Sequence, residues 1–219
     1  MLICGIDEAG RGPLIGPMVV CGVLTDEAGE GRLFENGVKD SKLLTPERRD
    51  ALAGFIKSHV KSYAIRIIPP REIDRAVETI NLNNLEMLKI AEIIRELKPE
   101  KAIIDSPSVN TVTYKSALLR MVDMKIDIIV EHKAERHAVV AAASIIAKTL
   151  RDSEIERIKE SIGIDFGSGY PADPLTRGFA EKNFNRYPDI FRMSWATYQR
   201  LRHKQPARGQ ARLSAFSEG

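Results

Sequence analysis

Short apolar runs at Leu2 to Ile6 and Met18 to Leu24, rich in Val, Ile and Cys, are separated by a glycine- and proline-laden stretch from Ala9 to Pro17. This pattern predicts strand, loop, strand. Asp26 to Gly37 mixes acids with glycines and reads as a surface loop. Thr45-Pro46-Glu47-Arg48 then supplies an N-cap, a proline at the first helical position and a following acid, so a helix is expected to run to about His59. Tyr63 to Ile68 alternates apolar and polar until Pro69-Pro70 stops it, which predicts a third strand. A short helix is expected over Pro70 to Val77, and Leu82, Leu85, Leu88, Ile90, Ile93, Ile94 and Leu97 keep helical spacing up to Pro99. Ala102 to Ile104 and Ile126 to Val130 read as buried strands, with a helix near Tyr114 to Met124 between them. From His137 to Lys148 nearly every residue is small or apolar, so this helix should be buried on most of its surface, whereas its continuation to Lys159 turns charged. Helices near Asp173 to Arg186 and Met193 to Arg202 follow, and Gln205 to Gly219 reads as a mobile tail. Strands first, then alternating helices and strands, imply an α/β sheet with an antiparallel beginning.

With 219 residues, 43% hydrophobic and 29% charged, the chain suits one large domain, or one domain with an appendage, and can bury a core without disulfides. No internal repeat is visible. The net charge is only +3, so nucleic-acid affinity would have to come from local clustering. Such a cluster exists: Arg186, Arg192, Arg200, Arg202, Lys204, Arg208 and Arg212 face one acid, Asp189. Cys4 and Cys21 lie in apolar runs without metal or redox spacing and read as buried hydrophobes. The absence of a long apolar span and of a secretory leader points to a soluble cytoplasmic protein, and nothing in the pattern asks for more than a monomer.

Three places carry acids where chemistry could follow. Asp7 and Glu8 end an apolar strand and run into a glycine loop, which is either a capped turn or a metal or phosphate site. Successive strand side chains point to opposite faces, so both acids serve one site only if the strand ends or bends between them. Asp105 ends a second apolar strand, where open sheets tend to place ligands, though a turn role fits equally. Glu135 precedes the small-residue helix and could simply stabilise its N-terminus. Taken together, three or four hard oxygen ligands suit Mg²⁺ or Mn²⁺ better than zinc. Two such ions about 3.5 to 4 Å apart would suit phosphoryl transfer, one activating water and the other stabilising the leaving oxygen. His132 and His137 read as ordinary surface histidines near a helix start.

Six segments now stand in order: Gly5-Ile6-Asp7-Glu8-Ala9-Gly10-Arg11-Gly12-Pro13, Lys39-Asp40-Ser41-Lys42, Ile103-Ile104-Asp105-Ser106, His132-Lys133-Ala134-Glu135, the run Val139 to Lys148, and Gly167-Ser168-Gly169-Tyr170-Pro171-Ala172-Asp173-Pro174. In this set, spread over Leu2 to Leu201, the chain resembles type 2 ribonuclease H, the ribonuclease HII family, in its archaeal branch. The resemblance implies an α/β ribonuclease H-like mixed sheet flanked by helices, with a helical C-terminal portion. It divides the chain into a catalytic domain over 1–186, a helical region over 187–204 and a tail over 205–219. It implies endonucleolytic cleavage of RNA paired to DNA, including single ribonucleotides embedded in duplex DNA, leaving 5′-phosphate and 3′-hydroxyl ends. Asp7, Glu8, Asp105 and Glu135 would then be catalytic and bind Mg²⁺ or Mn²⁺. At Glu135 the chain departs from the family, whose usual residue there is Asp. Glutamate is longer by a carbon–carbon bond of about 1.5 Å, while Mg²⁺ tolerates little variation in distance, so activity is expected to be retained with altered rate or metal preference. Two alternatives are a noncatalytic hybrid-binding protein whose metal site Glu135 impairs and another metal-dependent nuclease on the same core acting on DNA.

By resemblance, Gly10, Arg11 and Gly12 form a loop that reads the ribose, and glycine does let backbone groups approach a sugar where a Cβ would collide. Tyr170 would pack on the neighbouring deoxyribose, and Ser41 and Lys42 would contact backbone phosphate. The basic residues from Arg186 onward fit a nonspecific duplex track. In the tail, Gln210, Leu213 and Phe216 resemble the peptide that docks replication proteins on a sliding clamp, with Ser217 where a second aromatic is usual.

Overall fold

A computed structural model describes residues 1–39, 44–106, 108 and 110–204. The first two apolar runs form an antiparallel ribbon, β1 (Leu2–Ala9) and β2 (Met18–Asp26), and β3 (Ser62–Ile68) pairs antiparallel with the outer side of β2. β4 (Lys101–Asp105) lies parallel to β1, and β5 (Asp127–Glu131) lies parallel to β4. The resulting order is β3-β2-β1-β4-β5, a mixed sheet with the antiparallel beginning that the pattern predicts. Both β1 and β4 continue into the acids that follow their apolar runs, and this carries carboxylates inside the ladder rather than beyond it.

Alternation along β1 sorts the core into two layers. Cys4 and Ile6 face one cluster, built with Ile90, Ile93 and Ile94 of α4 (Leu82–Leu97), Leu118 of α5 (Thr111–Val122) and Ile73 of α3 (Pro70–Thr79). Ile3 faces the other, built from α2 (Pro46–His59) and the apolar half of α6 (Ala138–Ile162). From Ala138 to Ala147 every residue of α6 is buried, as its small side chains predict. Gly5 is what lets it dock: a Cβ there would lie 2.3 Å from the Val139 carbonyl carbon. Cys4 and Cys21 are buried and free.

The stretch over 26–37 is not a loop. Glu27–Glu35 is helix α1, capped by the Asp26 carboxylate, which accepts from the Gly29 N–H at 2.9 Å. Burial of Leu33 in the α2–α6 layer outweighs the roughly 1 kcal/mol that each interior glycine costs. Elsewhere element ends shift by a few residues. α5 starts at Thr111 because Asn110 caps it, and the final helices are α7 (Pro174–Asn183) and α8 (Ala196–Lys204). These pack with a turn at Pro188–Ile190 on a third cluster, in which Phe166, Phe179, Phe184, Phe191 and Tyr198 surround Leu14 and Ile15 from the loop after β1. No helix among the described residues is long and apolar enough to cross a membrane.

Candidate active site

Ile6 pairs with Ile104 across the parallel strands, and both point into the α4–α5 layer. Asp7 and Asp105 therefore come next, side by side, on the α6 face at the carboxyl ends of β1 and β4. Glu135 reaches the same point from a single 3-10 turn, Ala134–Arg136, between β5 and α6. One carboxylate oxygen from each of Asp7, Asp105 and Glu135 lies within 4.8 Å of the others. The Ala134 N–H donates to Asp105 Oδ1 at 3.0 Å, which holds the turn carrying Glu135 against β4. His137 and His132 are structural: His137 bonds Glu131 at 2.7 Å and His132 bonds the Ser106 carbonyl at 3.0 Å.

β1 neither ends nor bends between Asp7 and Glu8, which pair with Cys21 and Val20 in an unbroken ladder. Glu8 accordingly turns away from the three-carboxylate group, yet it lines the same cavity of about 380 Å³. Burial pushes the Asp7 carboxyl well above the usual range, and Glu8 and Asp105 push it further; the Ser144 hydroxyl and the Glu8 N–H, bonded at 2.8 Å, only partly oppose this. Burial also pushes Glu8 up to about 7, against the pull of the Arg11 guanidinium and with added repulsion from Asp105 and Glu135. Crowded, desolvated carboxylates with only oxygen donors fit a hard divalent cation, which would relieve the repulsion that burial magnifies.

Gly10, Arg11, Gly12 and Tyr170 line this cavity. Gly10 has φ of 80°, and a Cβ there would meet the Pro17 carbonyl at 2.8 Å. Tyr170 rests under the Arg151 guanidinium, 5.1 Å from its ring centre, and the carbonyl of Gly169 receives the Leu14 N–H at 2.8 Å, tying its loop to the glycine loop. Arg11 forms an ion pair with the buried Glu86 of α4 and donates to Asn83 Oδ1 at 2.5 Å.

Several site residues escape the sequence pattern. Ser144, Arg49 and Lys148 line the cavity, and Lys148, Arg49 and Arg151 gather around Asp152 at 2.7, 3.2 and 3.4 Å. Arg49, Lys148 and Tyr170 also line an adjoining groove of about 780 Å³. Glu86 had a signal: it is an acid four residues after Leu82 in an apolar stripe, a polar residue at a core position. Among the described residues the C-terminal basic set is split by burial. Arg192 is fully buried, whereas Arg186, Arg200 and Arg202 are exposed. Ser41, Lys42, Arg208, Arg212 and the tail residues Gln210, Leu213 and Phe216 lie outside the described residues.

Residues 4–198 match the family model described as ribonuclease HII. A ribonuclease HII of Pyrococcus furiosus is 43% identical over 221 residues, covering 99% of this chain and 98% of the relative. Among solved structures, the ribonuclease H2 of Pyrococcus horikoshii OT3 superposes with a TM-score of 0.85 at 38% identity, covering 93% of this chain and 98% of that one. A ribonuclease HII from Archaeoglobus fulgidus, solved in complex with PCNA, superposes with a TM-score of 0.82 at 42% identity, covering 89% and 95%. With its mixed sheet, its acids on β1 and β4 and its similarity over nearly the full length, the chain belongs to the ribonuclease HII family, metal-dependent endonucleases of the ribonuclease H class.

Proposed function

We propose that this ribonuclease H cuts the RNA strand of RNA/DNA hybrids and also single ribonucleotides embedded in duplex DNA, at a two-metal site, leaving 5′-phosphate and 3′-hydroxyl ends. The observation that carries this reading is one cavity lined both by Asp7, Asp105 and Glu135 and by the Gly10–Gly12 loop with Tyr170. Asp7, Asp105 and Glu135 would hold the ions, with Glu8 beside them, and Mg²⁺ or Mn²⁺ fits the all-oxygen set. When bound, such ions supply Lewis-acid activation of water and charge neutralisation at the leaving oxygen.

The protein's own groups do the rest. Ser144 and the Glu8 N–H orient the Asp7 carboxylate, and the Ala134 N–H orients Asp105. Glu135 is longer than the family's usual Asp, but its turn brings its oxygen into the cluster, which supports retained activity over a noncatalytic role. The glycine loop offers backbone to the sugar at the cut, and Tyr170 offers a ring face to the next sugar. Arg49 and Lys148, which share Asp152 where cavity and groove meet, are placed to contact backbone phosphates, while Arg151 lies buried beside them. Ser41 and Lys42 are assigned phosphate contacts on the family pattern alone. The tail motif at Gln210, Leu213 and Phe216, together with the PCNA-bound relative, supports clamp docking by an enzyme that otherwise acts as a cytoplasmic monomer.

The test is incubation of the purified protein, with Mg²⁺ and separately Mn²⁺, on duplex DNA containing one ribonucleotide beside an all-DNA control. Cleavage 5′ to the ribonucleotide, lost with chelator, is the expected result. Binding without cleavage under both metals would instead favour the hybrid-binding alternative, and cutting of the control would favour a DNA nuclease.

A further inference from the structure

Arg192 stands at the far end of the chain from the glycine loop, is fully buried, and directs its guanidinium at main-chain carbonyls. Nε donates to Gly16 O at 3.1 Å, Nη1 to Arg11 O at 2.7 Å and Nη2 to Gly10 O at 2.5 Å. Its own N–H donates to Leu14 O at 2.9 Å. Trp195, whose ring lies 5.0 Å from the same guanidinium, donates from Nε1 to Gly12 O at 3.3 Å. The segment is itself tied down, because the N–H groups of Met193 and Ser194 and the Ser194 hydroxyl all donate to Asp74 of α3, at 2.9, 2.8 and 2.6 Å. Burial, with Arg151 adding repulsion, pushes the guanidinium down to about 9, which leaves it charged at neutral pH.

The consequence lies in the planarity of the peptide group. A trans peptide sets C=O and the following N–H on opposite sides, and no cis bond occurs among the described residues. With the Gly10 and Arg11 carbonyls turned onto Arg192, the N–H groups of Arg11 and Gly12 turn the other way. The Gly12 carbonyl is held by Trp195 without stranding a donor, since Pro13 has no N–H. Arg192 is not part of the cavity wall, whereas Gly10, Arg11 and Gly12 are, and neither N–H has an acceptor among the described residues.

We propose that Arg192 is the positioning residue of the glycine loop: it turns two backbone N–H donors, rather than carbonyl acceptors, toward the cavity, where they receive the 2′-oxygen of a ribose. This rests on the ribonucleotide-cleaving reading above. A deoxyribose offers no oxygen there, so the orientation that Arg192 imposes is a determinant of sugar specificity. Lysine would not substitute, because one ammonium cannot serve three carbonyls that a planar fork reaches together.

The experiment compares the wild type with Arg192→Gln and Arg192→Lys, each as the full chain. The affinity ratio between a duplex with one ribonucleotide and the same all-DNA duplex is measured with chelator, followed by kcat and KM with Mg²⁺; circular dichroism establishes folding. In Arg192→Gln the ribose-over-deoxyribose ratio is expected to fall about tenfold, the loss of one good hydrogen-bond pairing. Its kcat is expected to fall about 100-fold, as a displaced reacting group does, with Arg192→Lys intermediate. A folded Arg192→Gln that keeps the wild-type ratio overturns the proposal. If the glutamine variant does not fold, a folded Arg192→Lys with the full ratio and kcat overturns it equally. A wild type with no preference for the ribonucleotide duplex would defeat the underlying reading instead, before any variant is compared.

Discussion

Asp7 is held where its charged form is disfavoured: buried, beside Glu8 and Asp105, with no cation paired to it among the described residues. Its carboxyl and that of Glu8 are raised above their unfolded values, so the folded metal-free protein binds more protons than the unfolded chain. Their contribution is neutral below the ordinary carboxylate range and becomes destabilising as pH climbs toward about 7, the value Glu8 reaches. Asp7→Asn removes part of that repulsion and is expected to stabilise the metal-free protein at pH 7.5 by about 1 to 3 kcal/mol, while abolishing cleavage. Urea melts at pH 5 and pH 7.5 would check it, since the gain should be larger at the higher pH. A variant that cuts at the native rate would remove Asp7 from the site. Glu135 poses a question of reach rather than charge. Shortening it by about 1.5 Å withdraws its oxygen from the cluster unless the Ala134–Arg136 turn follows, so Glu135→Asp is expected to keep cleavage within about tenfold of wild type, whereas Glu135→Ala falls by about 100-fold or more. Single-turnover rates with Mg²⁺ would separate the two.

At the level of elements, the five strands and most helices are legible because apolar runs and caps are local signals; Asp7 and Asp105 stand out as acids where such runs end, and Glu135 as an acid just before the small-residue helix. What stays hidden depends on partners far away in sequence. Helix α1 carries two glycines and few apolar residues, and it forms because Leu33 finds the α2–α6 layer. Glu8 is legible as an acid but not as one turned off the main cluster, because that depends on β1 continuing to Ala9. Arg192 reads as one more surface cation until Gly10, Arg11 and Gly16, more than 170 residues earlier, are seen to accept from it. The docking of α6 on β1 joins these levels, because α6 brings Ser144 to Asp7 and Lys148 to the cavity. Gly5 has no room for a methyl group against the Val139 backbone. Gly5→Ala is therefore expected to destabilise the fold by about 2 to 3 kcal/mol and to lower kcat along with it, by moving Ser144 off Asp7. Chemical denaturation and steady-state kinetics on one preparation would test both; full stability with normal activity would mean that α6 is free to shift without consequence for the site.

For the whole molecule the question is where a nearly neutral protein, at +3, gains its grip on a polyanion. Two basic regions compete. One is the C-terminal set legible in the sequence, of which Arg186, Arg200 and Arg202 are exposed after Arg192 is lost to the interior. The other is assembled by folding from α2 and α6, where the partly exposed Arg49 and Lys148 share the carboxylate of Asp152, with Arg151 buried beside them. The second adjoins the carboxylates through shared walls, so a duplex with its cut site among Asp7, Asp105 and Glu135 must pass it, whereas contact with the first depends on the path beyond Tyr170. Each phosphate contact adds roughly 0.9 to the slope of log affinity against log salt on duplex DNA. Replacing Arg49 and Lys148 together by Gln is accordingly expected to flatten that slope by about 1 to 2 and to weaken ribonucleotide-containing and all-DNA duplexes alike, since phosphate contacts carry no sugar preference. Fluorescence anisotropy from about 50 to 200 mM salt resolves such a change. If the slope stays put in that pair and flattens instead when Arg186, Arg200 and Arg202 are replaced, the duplex runs over the C-terminal helices, and the groove between α2 and α6 does not hold it.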